Sequence, residues 1–377
     1  MNNYDIAIIG AGIIGAACAF RLSQEGFRVV VIEAGEIAAG TTAAGMGHIV
    51  VMDDSEAQFA LTNYSRQLWN EISIKLPKNC EYQHCGTIWA ATDDEEMQEV
   101  CRKLDFYESR GVKALILDEK SLREAEPNLR KDLVGGLLVP NDSVVYQLSA
   151  ARFFLEKSKE SGAKIMTRKR VATISGDGIK LENGEFVSAG NIINAAGFWS
   201  KELMTDLQIV KRKGHLVITE RYPGFVRHQL IELGYLKSAH GTETDSVAFN
   251  VQPRSTEQVL IGSSRQFGVE DTAIDYDILR RMTHRAFEFM PKLRELSAIR
   301  VWTGFRPATP DNLPYIGRYP NFQNVYLATG HEGTGITTSL GTAELLTDEI
   351  LGRKSKINRE PYSPSRFVTE QTEAVGG

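Results

Sequence analysis

Residues 5–33 read DIAIIGAGIIGAACAFRLSQEGFRVVVIE. Residues 5–9 are a short apolar run rich in β-branched side chains, the pattern of a strand buried on both faces of a parallel sheet. The G-x-G-x-x-G of Gly10, Gly12 and Gly15 follows at once. Over residues 13–24, Ile14, Ala17, Cys18 and Leu22 recur at helical spacing, and Gly26 supplies a helix stop. Residues 28–32 (RVVVI) read as a second buried strand that ends in Glu33. Each part has a physical task. Gly10 permits a tight turn, Gly12 lets the backbone approach a pyrophosphate, and Gly15 lets helix and strand pack closely. The helix N-terminus, with Ile14 in its first turn, faces phosphate charge. Glu33, followed by Ala34, can accept hydrogen bonds from a ribose 2′-OH and would repel a 2′-phosphate, which disfavours NADP. A glycine triplet alone is weak evidence. In register with two strands, a helix and an acid, it specifies a dinucleotide site on a Rossmann-type α/β unit, without deciding between FAD and NAD.

Working outward, three later segments bear on that choice. Residues 40–48 (GTTAAGMGH) bring hydroxyls and small residues that can wrap a phosphate or a flavin ring, although taken alone they read as a flexible surface loop. Residues 191–200 (NIINAAGFWS) read as an apolar strand breaking into small residues before a polar helix start. A hairpin precedes it, formed by residues 171–174 and the Asn183-Gly184 turn. Residues 325–337 (VYLATGHEGTGIT) read as a strand, a glycine-rich turn and the start of a helix over residues 336–350. A helix N-terminus there would stabilise negative charge on a reduced flavin.

With these five stretches in order, including WTGFRPATPDNLPYIG at residues 302–317, the chain resembles the D-amino-acid oxidase superfamily of FAD-dependent oxidoreductases over nearly its whole length. Glycine oxidases, sarcosine oxidases and D-amino-acid dehydrogenases are relatives in that superfamily. The resemblance implies an α/β Rossmann-type FAD domain (GR2-like) from residues 1–85, 146–208 and 303–377. Inserted in it is an α+β substrate domain, residues 86–145 and 209–302, with a large antiparallel sheet. It also implies FAD contacts from Gly10, Gly12, Ile14, Gly15, Glu33 and Ala34, and from the loop residues Thr41, Thr42, Ala44, Gly45 and Met46. Val171, Ala195, Gly197 and Trp199 join them, as do Gly330, Gly333, Thr334, Gly335, Ile336 and Thr337. The cysteine that carries covalent flavin in some relatives has no counterpart beside Arg306, where Ala308 and Thr309 stand, so non-covalent FAD is expected.

Arg306, within Gly304-Phe305-Arg306-Pro307, reads from physics alone as a domain-edge arginine. By resemblance it is the fork that takes the substrate carboxylate. Met46 and His48 end the loop that passes the flavin ring, and Tyr222, Tyr235 and His240 fall where relatives carry a lid or a substrate tyrosine; of these, Tyr235 is the one carried forward as a substrate contact. Arg254 reads as a solvated turn residue, and His331 as structural or flavin-adjacent. No general base is named, because the cofactor carries the hard step. The implied reaction is hydride transfer from a small amino or imino acid to flavin N5, giving an imine that water hydrolyses. Residues 45–54 and Trp69 look most similar to bacterial proteins assigned to D-proline or cis-4-hydroxy-D-proline oxidation, with glycine or sarcosine oxidation as the alternative. The electron acceptor is oxygen, a quinone or a carrier protein, and homo- or hetero-oligomers are compatible with this.

Between residues 209 and 302, runs at 214–219, 246–252 and 258–262 read as strands, the last two joined by a turn at 253–256. Residues 275–289 carry Ile278, Met282, Ala286 and Phe289 at the spacing of an amphipathic helix. With 377 residues and 42% apolar content, the chain can build two associated domains. A net charge of −5 argues against nucleic acid as the main partner. No apolar stretch approaches the roughly 18 residues of a transmembrane helix. The polar start lacks an export leader, and four cysteines without C-x-x-C spacing read as reduced thiols. A cytoplasmic protein is the expectation, peripheral to the inner face of a membrane at most through its electron acceptor. Two other classes fit parts of the chain. An NAD-dependent dehydrogenase would be colourless, and a flavoprotein electron-transfer or RNA-modifying subunit would hold FAD that free amino acids do not bleach.

Overall fold

Strand Tyr4–Ile9, helix Ile13–Gln24 and strand Val29–Ile32 follow one another as the opening stretch requires. They belong to a computed structural model that describes residues 3–234 and 245–367. Tyr235 and His240 therefore lie outside the described residues. Among those described, the chain builds two eight-stranded sheets and one two-stranded sheet.

The first sheet runs, in spatial order, Tyr315–Arg318, Val325–Thr329, Phe186–Asn194, Tyr4–Ile9, Val29–Ile32 and Lys164–Met166. Its central pairs are parallel, and the Tyr315–Arg318 edge is antiparallel. Strands Val171–Ser175 and Gly178–Leu181 attach to Phe186–Asn194 as the expected hairpin layer. Helices Ile13–Gln24, Gln147–Glu160 and Gly335–Ile350 cover one face, where Ile6, Ile8, Ala17, Leu22, Phe154 and Leu346 form a core with almost no solvent access. Purely apolar central strands follow from burial on both faces.

The second sheet runs Ala298–Ala308, Val210–Arg221, Gln258–Arg265, Ser246–Pro253, Gln229–Glu232, Thr87–Ala91, Gly135–Val139 and Leu115–Asp118. It is antiparallel except where Gln229–Glu232 pairs with Thr87–Ala91. Helix Tyr276–Phe289 lies on it by the stripe the periodicity names: Ile278, Met282, Ala286 and Phe289 are its buried residues. Asp275 starts this helix by accepting from the amides of Asp277 and Ile278. Phe289 stacks on Phe249 with ring centroids 4.4 Å apart. Strand Ala298–Ala308 is continuous through the expected division at residues 302–303, so Arg306 sits on the second sheet. All four cysteines are free thiols, Cys101 alone being exposed. No helix among the described residues is long and apolar enough to cross a membrane.

The segment that follows residue 48 is tied down by a buried ion pair. Lys103, on helix Asp94–Glu108, meets Asp53 with both side chains excluded from water. Tyr107 donates its hydroxyl to the same carboxylate at 3.2 Å, and the Lys103 ammonium lies 4.4 Å from the Trp89 ring centre. Burial pushes the Asp53 pKa up, but Lys103 and Arg102 outweigh it and hold the carboxyl below its ordinary range. Breaking such a pair leaves an uncompensated buried charge. Lys103→Met is expected to lower unfolding free energy by about 3 kcal/mol, and Lys103→Met/Asp53→Leu to recover most of it. Chemical denaturation measures both; a single variant as stable as the parent would show that the pair holds nothing.

Candidate active site

The two sheets enclose a cavity of about 550 Å³, within the size range of cofactor and ligand sites, roughly 300–1,000 Å³. One end is the turn after the first strand. Gly10 has φ +100°, and a Cβ there would stand 2.7 Å from the Ala195 carbonyl oxygen. A Cβ at residue 15 would stand 2.0 Å from the Gly10 carbonyl oxygen, so the helix lies on the strand only because Gly15 is bare. Glu33 accepts from the Ala11 and Gly35 amides, one on each carboxylate oxygen and both at 2.8 Å, which fixes the carboxylate at the cavity wall with lone pairs left for a ribose. Thr42 Oγ1 accepts from the Ile13 amide at 3.0 Å, coupling the helix start to the 40–48 segment.

That segment is no surface loop. Residues Thr41–Ala44 form one helical turn, His48–Ile49 pairs with Ser143–Val144, and Gly40 faces the Trp199 ring. Its main chain is gripped on every side. Gln147 Nε2 donates to Gly45 O at 2.7 Å, Gln252 Nε2 to Met46 O at 2.6 Å, the Val145 amide to Gly47 O at 2.9 Å, and Thr337 Oγ1 to His48 O at 2.9 Å. Gly47 takes φ +99°, with a would-be Cβ 2.1 Å from Val145 O.

Beneath the segment the second sheet presents a strip without side chains. Gly304 pairs with Gly214 across adjacent strands, and Gly262 lies on the next strand over. Ala44 Cβ comes within 2.1 Å of where a Gly304 Cβ would be, and Met46 Sδ within 3.0 Å of a Gly262 Cβ. The Arg306 guanidinium lies across Gly214, its Nη1 only 2.7 Å from that missing Cβ and donating to Ser264 O at 2.9 Å. The sheet therefore gives up side chains to make room for a planar cationic fork facing the cavity.

Of the residues marked in the sequence, the cavity wall contains Gly10, Gly12, Ile14, Glu33, Ala34, Thr41, Thr42, Ala44, Gly45, Met46 and His48. Val171, Ala195, Gly197, Trp199, Arg306, Gly330, Gly333, Gly335 and Ile336 also line it. Gly15, Thr334 and Thr337 do not. Gly15 serves helix packing, Thr334 precedes helix Gly335–Ile350, and the Thr337 hydroxyl is spent on His48 O and the Val50 amide. Tyr222 lies elsewhere, its hydroxyl accepting from the Ser297 amide at 2.8 Å. Arg254 is not a solvated turn residue: it is largely buried, ion-paired with Glu81 at 2.7 Å and stacked over Tyr146. Residues not marked include the lining groups Gly214, Leu216, Asn250 and Ser263, and Gln229 behind His48. One signal was legible for Asn250: with Gln252 it is a polar pair at alternate positions in the strand-like run SVAFNVQ.

These residues fit FAD. Two helix N-termini, at Ile13 and Gly335, bring first-turn amides without intrahelical partners to the cavity. Glu33 suits a ribose, and bare Gly12, Gly197 and Gly333 let a cofactor lie against main chain. His331, in the wall, is buried with Nε2 2.9 Å from Thr342 Oγ1, and burial pushes its pKa down to about 3. A folded pKa below the ordinary 6.5 means stability fully present above that pH and lost as pH falls toward 3. His331→Gln is therefore expected to flatten the decline of Tm with pH below about 6.5 relative to the parent. Parallel curves for the two proteins would contradict a neutral buried imidazole.

Comparison with known proteins agrees with this geometry. Residues 5–349 match the family model described as FAD dependent oxidoreductase, DAO. The chain is 26% identical to glycine oxidase of Geobacillus kaustophilus over 97% of this chain and 98% of that protein. It is likewise 26% identical to hydrogen cyanide synthase subunit HcnC of Pseudomonas aeruginosa, over 98% and 97%. The crystal structure of the Geobacillus kaustophilus glycine oxidase matches with a TM-score of 0.87 at 25% identity, covering 97% of this chain and 99% of that one. That of L-proline dehydrogenase from P. horikoshii shares the fold, with a TM-score of 0.87 at 24% identity over 98% and 99%. The family match takes in both sheets and the whole cavity wall, and the chain belongs to the DAO family of FAD-dependent oxidoreductases.

Proposed function

We propose that this protein oxidises the C–N bond of a small α-amino or imino acid, of the D-proline or cis-4-hydroxy-D-proline type, with the substrate carboxylate held by Arg306. The observation that carries the reading is the Arg306 fork laid over bare Gly214 in the wall of the FAD cavity. A guanidinium so presented matches a carboxylate in shape and charge. When bound, FAD supplies the two-electron sink for the substrate's C–H and C–N bonds. The protein's own task is orientation and exclusion of water. Met46 and Leu216 give the Arg306 region apolar walls suited to a compact carbon skeleton. Arg306 fixes the carboxylate, and the clamped 45–48 segment fixes the wall beside it. No side chain need abstract a proton from carbon.

The inserted second sheet acts as the substrate domain in this reading, and FAD is held without a covalent bond. The glycine oxidase relatives favour glycine or sarcosine as the second reading. HcnC is named as a subunit of a synthase, which supports a partner subunit or carrier as electron acceptor beside oxygen or a quinone.

Replacing Arg306 by Leu leaves the bound carboxylate unpaired. Its binding is expected to weaken by roughly 3–5 kcal/mol, seen as a raised KM with FAD content unchanged. Steady-state kinetics of Arg306→Leu measure this, and an unchanged KM would remove Arg306 from the site.

A further inference from the structure

His48 forms the cavity wall beside Arg306, and its hydrogen bonds define which ring nitrogen is an acceptor. Behind it stands Gln229, fully buried, whose Nε2 donates to Ser143 O at 3.0 Å and approaches Thr87 Oγ1 at 3.3 Å. A carbonyl oxygen only accepts, so the amide nitrogen of Gln229 belongs at that end and Oε1 faces His48 Nδ1. That oxygen only accepts as well, so Nδ1 carries the proton and Nε2 the lone pair. The imidazole stays neutral because burial opposes its charge and the nearby Arg306 cation repels a second one. Among the described residues, Gln229 and Asn250 meet the ring nitrogens, and Arg306 is the charged group that acts on the ring.

Nδ1 points to Gln229, outside the wall, whereas Nε2 lies on the side of Asn250, which lines the cavity with His48. The protein's own donor to Nε2 is Asn250 Nδ2 at 3.4 Å, well beyond the usual ~2.9–3.0 Å. The lone pair is thus oriented and poorly used. An α-amino or imino acid carries an N–H donor two bonds from its carboxylate. We propose that His48 Nε2 accepts this N–H while Arg306 takes the carboxylate, with Gln229 as the positioning residue that holds His48 in the required tautomer. The inference rests on the amino-acid reading above and deepens it: the pair selects carboxylates that bear an N–H on the adjacent carbon. An acceptor also suits a neutral amine, whose lone pair the oxidation requires.

Two flat five-membered carboxylates test this, because they differ only in N–H against O: pyrrole-2-carboxylate and furan-2-carboxylate. Neither offers an sp³ C–H beside an amine to oxidise, so calorimetric titration of the FAD-loaded protein reads binding alone. The parent is expected to bind the pyrrole acid at least about tenfold tighter, since the furan oxygen sets an acceptor against an acceptor. His48→Phe should bring that ratio near one, and Gln229→Met should reduce it by freeing the tautomer. A merely structural role would weaken both ligands together and leave the ratio unchanged. Equal binding of the two acids by the parent, or a ratio that survives in His48→Phe, overturns this assignment and leaves the carboxylate site standing. Binding of neither acid by the parent would overturn the assignment together with the amino-acid reading beneath it.

Discussion

The close approach of Ala44 to bare Gly304, with the Met46 side chain seated against bare Gly262, is the constraint on which the cavity depends. A Cβ at Gly304 would stand 2.1 Å from Ala44 Cβ and one at Gly262 3.0 Å from Met46 Sδ, so the loop and the second sheet lie this close because both positions are bare. Burial makes such a contact unforgiving, because a close-packed interior cannot absorb even one added methyl group without shifting. Closure then has consequences in both directions. On one side it presents the Gly45, Met46 and His48 carbonyls to the donors that clamp them, and on the other the bare strip continues to Gly214, over which Arg306 lies in the cavity wall.

Charge is distributed around the cavity with similar economy. Arg306 is the cation in its wall at this end, and the two wall histidines, His48 and His331, are both kept neutral by burial. Just outside, Arg212 on the neighbouring strand is matched by Glu332 at 2.6 Å, which in turn lies 3.8 Å from Arg265. This pairing ties the second sheet to the turn that starts helix Gly335–Ile350. A cationic fork among neutral groups attracts an anionic group of matching shape.

Much of this was legible in the sequence where local chemistry decides structure. The tight turn at Gly10, the close packing at Gly15, the place of Glu33 at the end of the second strand and the amphipathic stripe on residues 275–289 have signals within one turn or one alternation, and the structure has each of them. Arg306 was reached through family resemblance, since nothing local separates a carboxylate fork from an edge salt bridge. What the sequence could not display is pairing between distant strands. Gly214, Gly262 and Gly304 matter only because Arg306, Met46 and Ala44 arrive from elsewhere. Gln229 matters only because it stands behind His48, 181 positions away. Taken alone, the 40–48 segment read as a surface loop for the same reason: its order comes from Gln147, Gln252 and Thr337, all remote in the chain. Arg254 was misjudged because its partner Glu81 lies in another part of the chain.

The most direct measurement of the central claim is the visible spectrum of the purified protein under anaerobic conditions, before and after single amino acids are added. The panel comprises cis-4-hydroxy-D-proline, D-proline, sarcosine, glycine and D-alanine. The account predicts a yellow protein whose flavin absorbance is bleached by a cyclic D-imino acid. A yellow protein bleached by none of them would contradict amino-acid oxidation while keeping the cofactor, and a colourless protein that takes up no FAD would contradict the reading of the cavity itself.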